Sequence, residues 1–568
     1  MTRIDEIHAC PPRADVQIRL PDGRTFAGPV GTTLDTFLHA INGYATSAVA
    51  ALVDGRLTEL SEPVTHDVDV QPLTLKDEVG RRVYQTSLIL LLIAAVEDCF
   101  PGTRVAVDHS LTFGGFFCRT LNRPAFADEE LAQIEQRMRQ MVTEDAPIGR
   151  EDLPVSRAIE VFRAAGDEAE IRLLEGQPRE KVTLRTLGRV KECFYSPLVP
   201  SARYLSSFAV RLYPPGFVLQ FPPAGETTAL GRVQHYPKLT AVFQEYGQWL
   251  ELLGVPDVGA LNQALAGGRA KEIVLVSEAL HAQSIAEIAR DIARERGRIR
   301  LVLMAGPSSS GKTTFSRRLT VQLLANGLRP FPVALDDYFL SREATPKDAE
   351  GNYDFESLGA LDLDLLNEQL VALMAGQEVT LPRYRFDKGD REVGPTVRLT
   401  KDHILLIEGI HGLNPALVPQ VPAERVFRIY ISALTQLKLD RLNRIPTTDT
   451  RLIRRLVRDA RDRGYTAQQT IARWESVRRG EAKHIFPYQE HANADFNSFL
   501  AYELAVLKPL AEPLLRQVEP WTPEYVEARR LLAFLNWFRP CDGALVPEVS
   551  LLREFVGGSS VSEFLPAL

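Results

Sequence analysis

The chain has 568 residues, of which 45% are hydrophobic and 24% charged, and its formal net charge is -7. This length exceeds what one hydrophobic core serves and predicts about three or four domains. The negative net charge argues against a general polyanion-binding protein, although it is compatible with a local basic patch. The composition is that of an ordinary soluble globular protein.

Neither a secretion signal nor a membrane span is predicted. Residues 1–17 lack the apolar segment of a secretory signal, and the longest apolar run, residues 88–96, is much shorter than the ~20 residues of a membrane span. The five cysteines are scattered without CxxC spacing, which is typical of neither a disulfide framework nor a zinc knuckle. We therefore expect a cytoplasmic protein with no membrane partner.

The first predicted unit covers residues 1–78. Short alternating runs, VQIRL, TFAGPV and VDVQPL, predict strands, and TLDTFLHAI between them predicts a helix. With LPDGRTF and AALVDGRLTELSEPV, this order resembles the TGS domain, a small β-grasp unit at the front of threonyl-tRNA synthetases. Any other small α+β module is the alternative, because no single residue here carries chemistry.

Residues 79–222 resemble the next domain of the same synthetases, through QTSLILLLIAAVEDCFPGTRVAV, SRAIEVFRAAGDEAEIRLLEG and ECFYSPLVPSARYL. In those enzymes this α+β domain is an editing site that binds a metal ion through His and Cys. The corresponding positions here are Thr86, Leu90, Phe194 (with Cys193 one place away) and Leu198. None of these four side chains suits such a metal ion. The resemblance therefore implies a retained scaffold without the editing chemistry, and the run at 88–96 is expected to be a buried helix.

A change of composition follows. The segment PPGFVLQFPPAGET, residues 214–227, is rich in Pro and Gly and predicts a boundary or a covering loop. The later runs KLTAVFQEYGQWLELLG and SEALHAQSIAEIARDIARERG have helical periodicity. They predict a helical adaptor over residues 223–297.

The most specific motif is GPSSSGKTT, which fits the P-loop pattern GxxxxGK[ST] without a mismatch. An apolar run at 299–304 precedes it and a helical run at 312–324 follows, in the order that a phosphate-binding loop requires. Lys312 is expected to reach the β- and γ-phosphates and Thr313 to bind Mg²⁺. A chance glycine-rich turn is the alternative, and the flanking elements argue against it. The predicted nucleotide-binding residues are Gly306, Ser308, Ser309, Ser310, Gly311, Lys312, Thr313 and Thr314.

Two further apolar runs end in acidic residues. Residues 331–335 lead to Asp336 and Asp337, and residues 403–407 lead to Glu408. Because ligands of open α/β sheets gather at the carboxyl ends of strands, these carboxylates are candidates for accepting a proton or holding Mg²⁺. A helix N-cap explains the Asp pair equally well, and spacing does not distinguish Asp336 from Asp337 as a base.

Two later segments are rich in basic residues. PRYRFDKGDR, residues 382–391, mixes aromatic and basic side chains and is predicted to be a loop that suits an acceptor pocket. Residues 441–463 hold eight arginines. A solvated helix with Asp partners explains part of this cluster, whereas a kinase needs cations over the migrating phosphoryl group. We expect a lid that supplies about one to three of these arginines.

In order and spacing, GPSSSGKTTF, LDDYF, LPRYRFD, LLIEGI and LIRRLVRDARDRG resemble the phosphoribulokinase/uridine kinase family of P-loop kinases. The resemblance implies an α/β domain with a parallel sheet over residues 298–515, with ATP and Mg²⁺ as cofactors. A helical tail over residues 516–568 is expected to pack on this domain. The resemblance implies that Asp336 is the general base, with Lys312 and Glu408 as the other catalytic residues. It implies Thr313 and Glu408 at the metal, Tyr384, Arg391 and Arg458 at the acceptor, and Arg454, Arg455 and Arg463 in the lid.

The expected activity is phosphotransfer to an alcohol group of a small acceptor, foremost the 5′-hydroxyl of uridine or a related nucleoside. Two departures from the family concern the acceptor: Gly389 stands where pyrimidine kinases present a base-contacting His, and an insertion, NRIPTTDT, precedes the lid arginines. A polyol or a sugar phosphate is therefore an alternative acceptor. From another class, an RNA- or tRNA-associated ATPase would contact RNA through the synthetase-like half. A P-loop does not distinguish ATP from GTP, because its backbone contacts phosphates.

Overall fold

The computed structural model describes residues 13–41, 47–347, 351, 353–354, 356–385, 388–562 and 564. The chain packs into two compact units. Unit 1 comprises Met1–His235 with two later segments, Leu439–Arg444 and Glu519–Glu527. Unit 2 comprises Tyr236–Lys438, Ile445–Val518 and Ala528–Leu568. The finer division into five parts stays a prediction.

Unit 1 begins with a five-stranded sheet in the order β2-β1-β5-β3-β4. Its strands are β1 (Asp15–Arg19), β2 (Thr25–Pro29), β3 (Ala50–Val53), β4 (Arg56–Thr58) and β5 (Val68–Leu73), and helix α1 is Leu34–Ala40. Residues of β1 alternate between exposed and buried, because one face of the sheet is packed and the other is solvated. Thr33 caps α1 by accepting the backbone N–H of Thr36. The predicted order of strands and helix is confirmed.

The rest of unit 1 contains two antiparallel sheets, in the orders β10-β9-β8 and β11-β12-β7-β6. The strands are β6 (Val105–Leu111), β7 (Gly115–Thr120), β8 (Gly149–Pro154), β9 (Lys181–Leu187), β10 (Val190–Cys193), β11 (Ala209–Tyr213) and β12 (Gly216–Gln220). The helices are α2 (Glu78–Cys99), α3 (Asp128–Thr143), α4 (Val155–Ala165) and α5 (Glu168–Glu175). These elements form the α+β region expected after the first sheet.

Helix α2 is the predicted buried helix. By length and composition it could cross a membrane, and 72% of its most apolar window is buried inside the protein. Its leucine-rich part, residues 88–96, belongs to the apolar core of unit 1. The hydroxyl of Ser87 donates to the carbonyl of Val83, so the polar side chain is satisfied within the helix. This burial is typical of a core helix.

The prediction of a loop or boundary at residues 214–227 is wrong over its first part. Strand β12 lies there, is buried along its whole length and pairs with both β7 and β11. The apolar residues between the Pro and Gly clusters fill a central strand, whereas the prolines lie outside it. Composition therefore located the ends of this strand and missed the strand itself.

Unit 2 is built on a five-stranded parallel sheet in the order β14-β17-β13-β18-β19. The strands that follow residue 236 are β13 (Leu301–Ala305), β14 (Arg329–Ala334), β15 (Glu378–Arg385), β16 (Asp390–Arg398), β17 (His403–Glu408), β18 (Val426–Ser432) and β19 (Ala494–Asn497). Every residue of β13 is buried, as expected for a central strand of a parallel sheet covered on both faces. The predicted parallel α/β architecture is confirmed.

Helices cover the sheet on both sides. The helices that follow residue 236 are α6 (Pro237–Leu253), α7 (Val258–Ala266), α8 (Ala270–Arg294), α9 (Lys312–Ala325), α10 (Leu363–Met374), α11 (Thr447–Asp462), α12 (Ala467–His484), α13 (Glu503–Leu515), α14 (Pro523–Leu535) and α15 (Arg553–Val556). Apolar residues of α8 and α9 pack with β13, β17 and β18 in one core cluster. Residues of α10 pack with the same sheet in a second cluster. The helical character expected for the adaptor is confirmed in α6, α7 and α8.

The segment 382–391 is not the simple loop that was predicted. Its described residues, 382–385 and 388–391, belong to a two-stranded antiparallel hairpin formed by β15 and β16, whereas residues 386–387 lie outside the described residues. Gly389 lies in the turn with a φ of 70°, a conformation that favours glycine. Buried Val379 and Tyr384 on β15 and Val397 on β16 hold the hairpin against the protein. The aromatic and basic mixture of this segment hid the alternating apolar positions from a reading of composition.

Candidate active site

The P-loop lies between the end of β13 and the first turn of α9. Ser309 and Gly311 have φ angles of 59° and 84°, so the backbone passes through the left-handed region twice. At Gly306 a Cβ atom would lie 2.0 Å from the carbonyl oxygen of Ile431, and glycine is required for this approach. The loop therefore has the tight backbone turn that directs N–H groups to one side.

Two of these N–H groups already hold anionic oxygens. The Ser308 N–H donates to Glu481 Oε1 at 2.7 Å, and the Thr314 N–H donates to Glu554 Oε2 at 3.1 Å. The hydroxyl groups of Ser309 and Ser310 are buried without a hydrogen-bond partner among the described residues. A loop that binds carboxylates through its backbone fits the phosphate oxygens of a nucleotide by the same chemistry.

Lys312 begins α9 and turns back over the loop. Its Nζ donates to the carbonyls of Gly306 and Pro307 at 2.8 and 3.0 Å. Burial lowers the pKa of Lys312, while the charges of Glu408, Glu554 and Glu481 act in the opposite direction. The ammonium group is thus hydrogen bonded to backbone carbonyls of the same loop whose bound phosphates it is expected to contact.

Glu408 ends strand β17 beside the P-loop helix. The Thr313 hydroxyl donates to Glu408 Oε1 at 3.1 Å. Burial raises the pKa of Glu408, which Lys312 and the Thr313 hydrogen bond partly offset. Hydroxyl and carboxylate oxygens are suitable Mg²⁺ ligands, and Mg²⁺ commonly completes its shell with water and substrate phosphates. These two residues therefore fit the predicted metal position.

The two aspartates after β14 differ in their surroundings. Asp337 Oδ1 accepts the backbone N–H of Tyr384 at 3.0 Å, so this carboxylate anchors the hairpin. No described residue is hydrogen bonded to the carboxylate of Asp336, which belongs to an exposed residue. Partial burial of the carboxyl group and the charge of Asp337 raise the pKa of Asp336. The geometry thus separates an anchoring Asp337 from an available Asp336, which spacing could not do.

The predicted acceptor residues lie opposite one another on the hairpin. Tyr384 on β15 and Arg391 on β16 are cross-strand partners. The Tyr384 ring is buried and meets the Phe339 ring edge to face at 5.6 Å between centroids. Arg391 forms an ion pair with Asp362 at 2.9 Å. The structure brings the two residues together, and their contact with an acceptor stays a prediction.

The four predicted arginines lie on α11 or directly after it, and their partners are the P-loop and one buried aspartate. Arg454 and Arg455 contact the P-loop, through the Ser309 carbonyl at 3.3 Å and the Ser308 hydroxyl at 2.8 Å, respectively. Arg454 is only 1% exposed and also forms an ion pair with Glu503. Arg455, Arg458 and Arg463 share one carboxylate, Asp459, at 3.1, 2.9 and 3.5 Å. Arg454 therefore serves as a buried support of the loop, whereas Arg463 is half exposed.

Sequence reasoning missed three residues that contact the loop. Arg451 on α11 is 1% exposed, donates to the Ser308 carbonyl at 2.9 Å and forms an ion pair with Glu481. Glu481 and Glu554 accept from the loop, as described above. Arg451 belonged to the counted arginine cluster, but nothing distinguished it from its neighbours. No local pattern marks either glutamate, because each reaches the loop from a distant part of the chain.

In unit 1 the four synthetase-like metal positions lie in an apolar environment. Leu90, Phe194 and Leu198 belong to one core cluster, together with Leu442 from the segment Leu439–Arg444. Thr86 donates its hydroxyl to the Arg82 carbonyl at 2.9 Å, as a helical threonine commonly does.

A buried polar network surrounds the same segment of unit 1. Arg441 forms ion pairs with Asp167, at 2.7 Å, and with Glu192. Burial raises the pKa of Glu192 to about 7, although Arg441 opposes the shift. Burial and the charge of Asp440 raise the pKa of Glu170 well above its usual value. The carboxyl groups of this network thus form ion pairs or hydrogen bonds with neighbouring residues of unit 1.

Comparison with known proteins assigns the region that contains the P-loop. Residues 301–504 match the Phosphoribulokinase / Uridine kinase family. The predicted resemblance of this region to the family is confirmed. The match covers the P-loop, Asp336, Glu408, the hairpin and α11, so the geometry described above lies within the matched region.

Other relatives match a different third of the chain. The threonine–tRNA ligases of Paracidovorax citrulli and Laribacter hongkongensis are 33% and 34% identical over 196 and 194 residues, 34% of this chain. The chain spans only 30% of the length of either ligase. This similarity confirms the predicted relationship of the N-terminal region to the TGS and editing region of these synthetases.

Among solved structures, one described as a possible uridine kinase from Bacillus stearothermophilus is 20% identical, with a TM-score of 0.26. The match covers 38% of this chain and 98% of that chain.

Proposed function

We propose that the kinase region transfers the γ-phosphoryl group of ATP to a hydroxyl of a small acceptor, foremost the 5′-hydroxyl of uridine or a related nucleoside. One observation carries the proposal. The parallel strands β14, β17 and β13 are adjacent; Asp336 follows β14, Glu408 ends β17 and the P-loop follows β13, and the Thr313 hydroxyl donates to Glu408 at 3.1 Å. The proposed base, the proposed metal-binding pair and the phosphate-binding loop would thus serve a ligand from the carboxyl ends of neighbouring strands.

The chain's own residues fit ATP and Mg²⁺ in a defined way. When bound, the two would supply the γ-phosphoryl group and the cation that offsets its charge. Thr313 and Glu408 would hold the metal, and the backbone N–H groups from Ser308 to Thr314 would hold phosphate oxygens. Lys312 would exchange its two carbonyl partners for phosphate oxygens, which are stronger acceptors for an ammonium group.

Asp336 would act as the general base toward the acceptor hydroxyl. Its carboxylate is available, and its raised pKa makes it a better proton acceptor than an ordinary aspartate. Asp337 would instead hold the hairpin through the Tyr384 N–H. The hairpin would then position Tyr384 and Arg391 at the acceptor, and Arg458 with the exposed Arg463 would close over the phosphoryl group.

The organisation of the chain is part of the proposal. We assign residues 1–78 to a TGS-like domain, 79–222 to an editing-like domain, 223–297 to a helical adaptor, 298–515 to the kinase domain and 516–568 to a helical tail. We place the protein in the cytoplasm. Gly389 in the hairpin turn removes the base-contacting His of pyrimidine kinases, so a polyol or a sugar phosphate is the competing acceptor.

The test is ATP consumption by the full chain with Mg²⁺ against a panel of nucleosides, polyols and sugar phosphates, with Lys312→Ala as the blank. Stimulation by uridine or cytidine alone supports the nucleoside assignment. Stimulation by a polyol or a sugar phosphate alone would replace that acceptor and keep the reaction. Steady hydrolysis that no acceptor stimulates would contradict phosphotransfer to the acceptors proposed.

A second candidate function follows from the synthetase-like region. An RNA-associated ATPase would bind structured RNA, such as tRNA, through unit 1 and use the P-loop as a switch. Binding to phosphate backbones weakens steeply as salt rises, so tRNA affinity measured between about 50 and 200 mM salt should fall by orders of magnitude. If the chain does not bind tRNA even at low salt, this candidate is removed.

A further inference from the structure

Two carboxylates of the chain itself accept hydrogen bonds from backbone N–H groups of the P-loop. Glu481 lies on α12 and accepts the Ser308 N–H, whereas Glu554 lies on α15 near the C-terminus and accepts the Thr314 N–H. The Thr314 N–H belongs to the first turn of α9, where helix N–H groups have no partner within the helix. These are the groups that P-loop proteins direct at nucleotide phosphates. A carboxylate in that position competes with a phosphate for the same donor.

The two glutamates are held very differently. Glu481 is buried and forms an ion pair with Arg451, which also binds the Ser308 carbonyl. Removing this glutamate would leave a buried arginine without its charge partner, so Glu481 serves as a fixed brace of the loop. Glu554 is only partly buried and lies on a helix of four residues, Arg553–Val556. Of the two, Glu554 forms no ion pair among the described residues, although its neighbours Leu551 and Phe555 are fully buried and would be exposed if the segment moved.

The C-terminal segment 551–556 lies directly on the loop and on α11. A Cβ atom at Gly311 would lie 2.7 Å from Leu551 Cδ2, so this leucine packs against the P-loop glycine. Arg461 on α11 donates to the carbonyls of Phe555 and Glu554 at 2.8 and 3.1 Å. The guanidinium of Arg454 lies 5.0 Å from the centre of the Phe555 ring. The segment is thus anchored on the same helix that carries the predicted lid arginines.

We propose that the segment 551–556 is an autoinhibitory plug of the nucleotide site, in which the Glu554 carboxylate occupies the position of a nucleotide phosphate at the start of α9. ATP binds only when this segment moves away from the loop. This inference rests on the proposed nucleotide binding of the P-loop. It adds that the closed form of the chain excludes ATP, and that any partner that draws the C-terminal segment away activates the kinase.

The expected effect on affinity follows from population arithmetic. The apparent dissociation constant equals the intrinsic constant divided by the fraction of molecules with an open site. Removing one charge-assisted hydrogen bond from the closed form should raise the open fraction about tenfold. Glu554→Ala should therefore bind ATP about tenfold more tightly than the natural sequence.

The experiment is calorimetric titration of the full chain with ATP and Mg²⁺. The variants are Glu554→Ala and a matched control, Glu548→Ala, which removes an exposed carboxylate of the same C-terminal region. Tighter binding by Glu554→Ala with no change in Glu548→Ala is the expected result. A different result would overturn the plug and leave the proposed function intact. In that result the natural sequence binds ATP, Lys312→Ala does not, and Glu554→Ala binds ATP with equal or lower affinity than the natural sequence. Absence of binding in every protein, Glu554→Ala included, would overturn both.

A second measurement needs no substitution. Trypsin cleaves after arginine, and the partly buried Arg553 lies at the start of α15. Saturating ATP should speed cleavage after Arg553 in the natural sequence several-fold, because the segment leaves the loop when nucleotide enters. An unchanged or slower cleavage rate at saturating ATP would overturn the proposal, even if Glu554→Ala failed to fold.

Discussion

In unit 1 the side chain of Arg441 forms ion pairs with Asp167 and Glu192, so these buried charges are paired with one another. In unit 2 the charges around Lys312 face backbone donors and acceptors of the P-loop instead. Both sets are buried or partly buried, and both contain groups whose pKa is shifted. Only the second set can exchange its present partners for a ligand without leaving a buried charge unpaired. Burial of ionisable groups alone therefore does not distinguish a structural network from an active site.

The comparison predicts that substitutions in unit 2 reduce turnover while stability is kept. Asp336→Asn removes the proposed base and should reduce kcat by about 10²- to 10⁴-fold, the usual contribution of general base catalysis. Thermal unfolding should stay unchanged, because no described residue is hydrogen bonded to this carboxylate. The matched control is Asp364→Asn, an exposed aspartate on α10. Full turnover by Asp336→Asn with an identified acceptor would show that the base is assigned wrongly.

Lys312→Ala should have the next largest effect. Loss of one preorganised cation at the transferring group should reduce kcat by about 10²- to 10³-fold. The substitution also frees the carbonyls of Gly306 and Pro307, which water can then reach. Steady-state kinetics with the exposed Lys401→Ala as a control measures the effect. Equal rates for the two variants would mean that the Lys312 ammonium group does not contact the transferred phosphoryl group.

The opposite pattern is expected for unit 1. Arg441→Met leaves Asp167 and Glu192 without their buried partner and should lower the free energy of unfolding by about 3–5 kcal/mol. The control is Arg157→Met, which removes an exposed ion pair with Glu160 and should change stability by less than about 1 kcal/mol. Denaturant titration measures both. If Arg441→Met were as stable as its control, the network would not be the closed structural set inferred from its contacts.

The decrease in the free energy of unfolding caused by Arg441→Met should itself depend on pH. Glu192 has a pKa raised to about 7, above that of a glutamate in the unfolded chain, so the folded form holds its proton more tightly. Its contribution to stability is therefore greatest at acid pH and is lost as pH rises through 7. Without Arg441 the ionised carboxylate is disfavoured further, and the deficit should be smaller at pH 5 than at pH 8. A deficit that did not change with pH would argue against Glu192 as its source.

The smallest predicted effect sharpens the distinction between the two aspartates. The charge of Asp337 contributes to the raised pKa of Asp336. A base works only when deprotonated, so the rate falls as pH drops through that pKa. Asp337→Asn removes the charge while keeping an oxygen for the Tyr384 N–H, and should move the acid limb of kcat/KM to lower pH. A limb that stayed in place would mean that Asp336 does not control the profile.

The sequence predicted what local patterns encode and missed what distant residues supply. The P-loop, the strands that end in Asp336 and Glu408, and the parallel sheet follow from short motifs with fixed order. The roles of Arg451, Glu481 and Glu554 were invisible, because each depends on a tertiary contact with the loop. Strand β12 and the β15–β16 hairpin were hidden by Pro, Gly and mixed polar composition, where pairing with neighbouring strands decides the structure.

The central claim is that the edge of the sheet in unit 2 transfers a phosphoryl group rather than merely hydrolysing ATP. The direct test incubates the full chain with ATP labelled in the γ-phosphoryl group, Mg²⁺ and uridine, and follows the label. The account predicts labelled uridine 5′-phosphate from the natural sequence and little from Asp336→Asn or Lys312→Ala. Label found only in inorganic phosphate, at the same rate with and without uridine and across the acceptor panel, would contradict it.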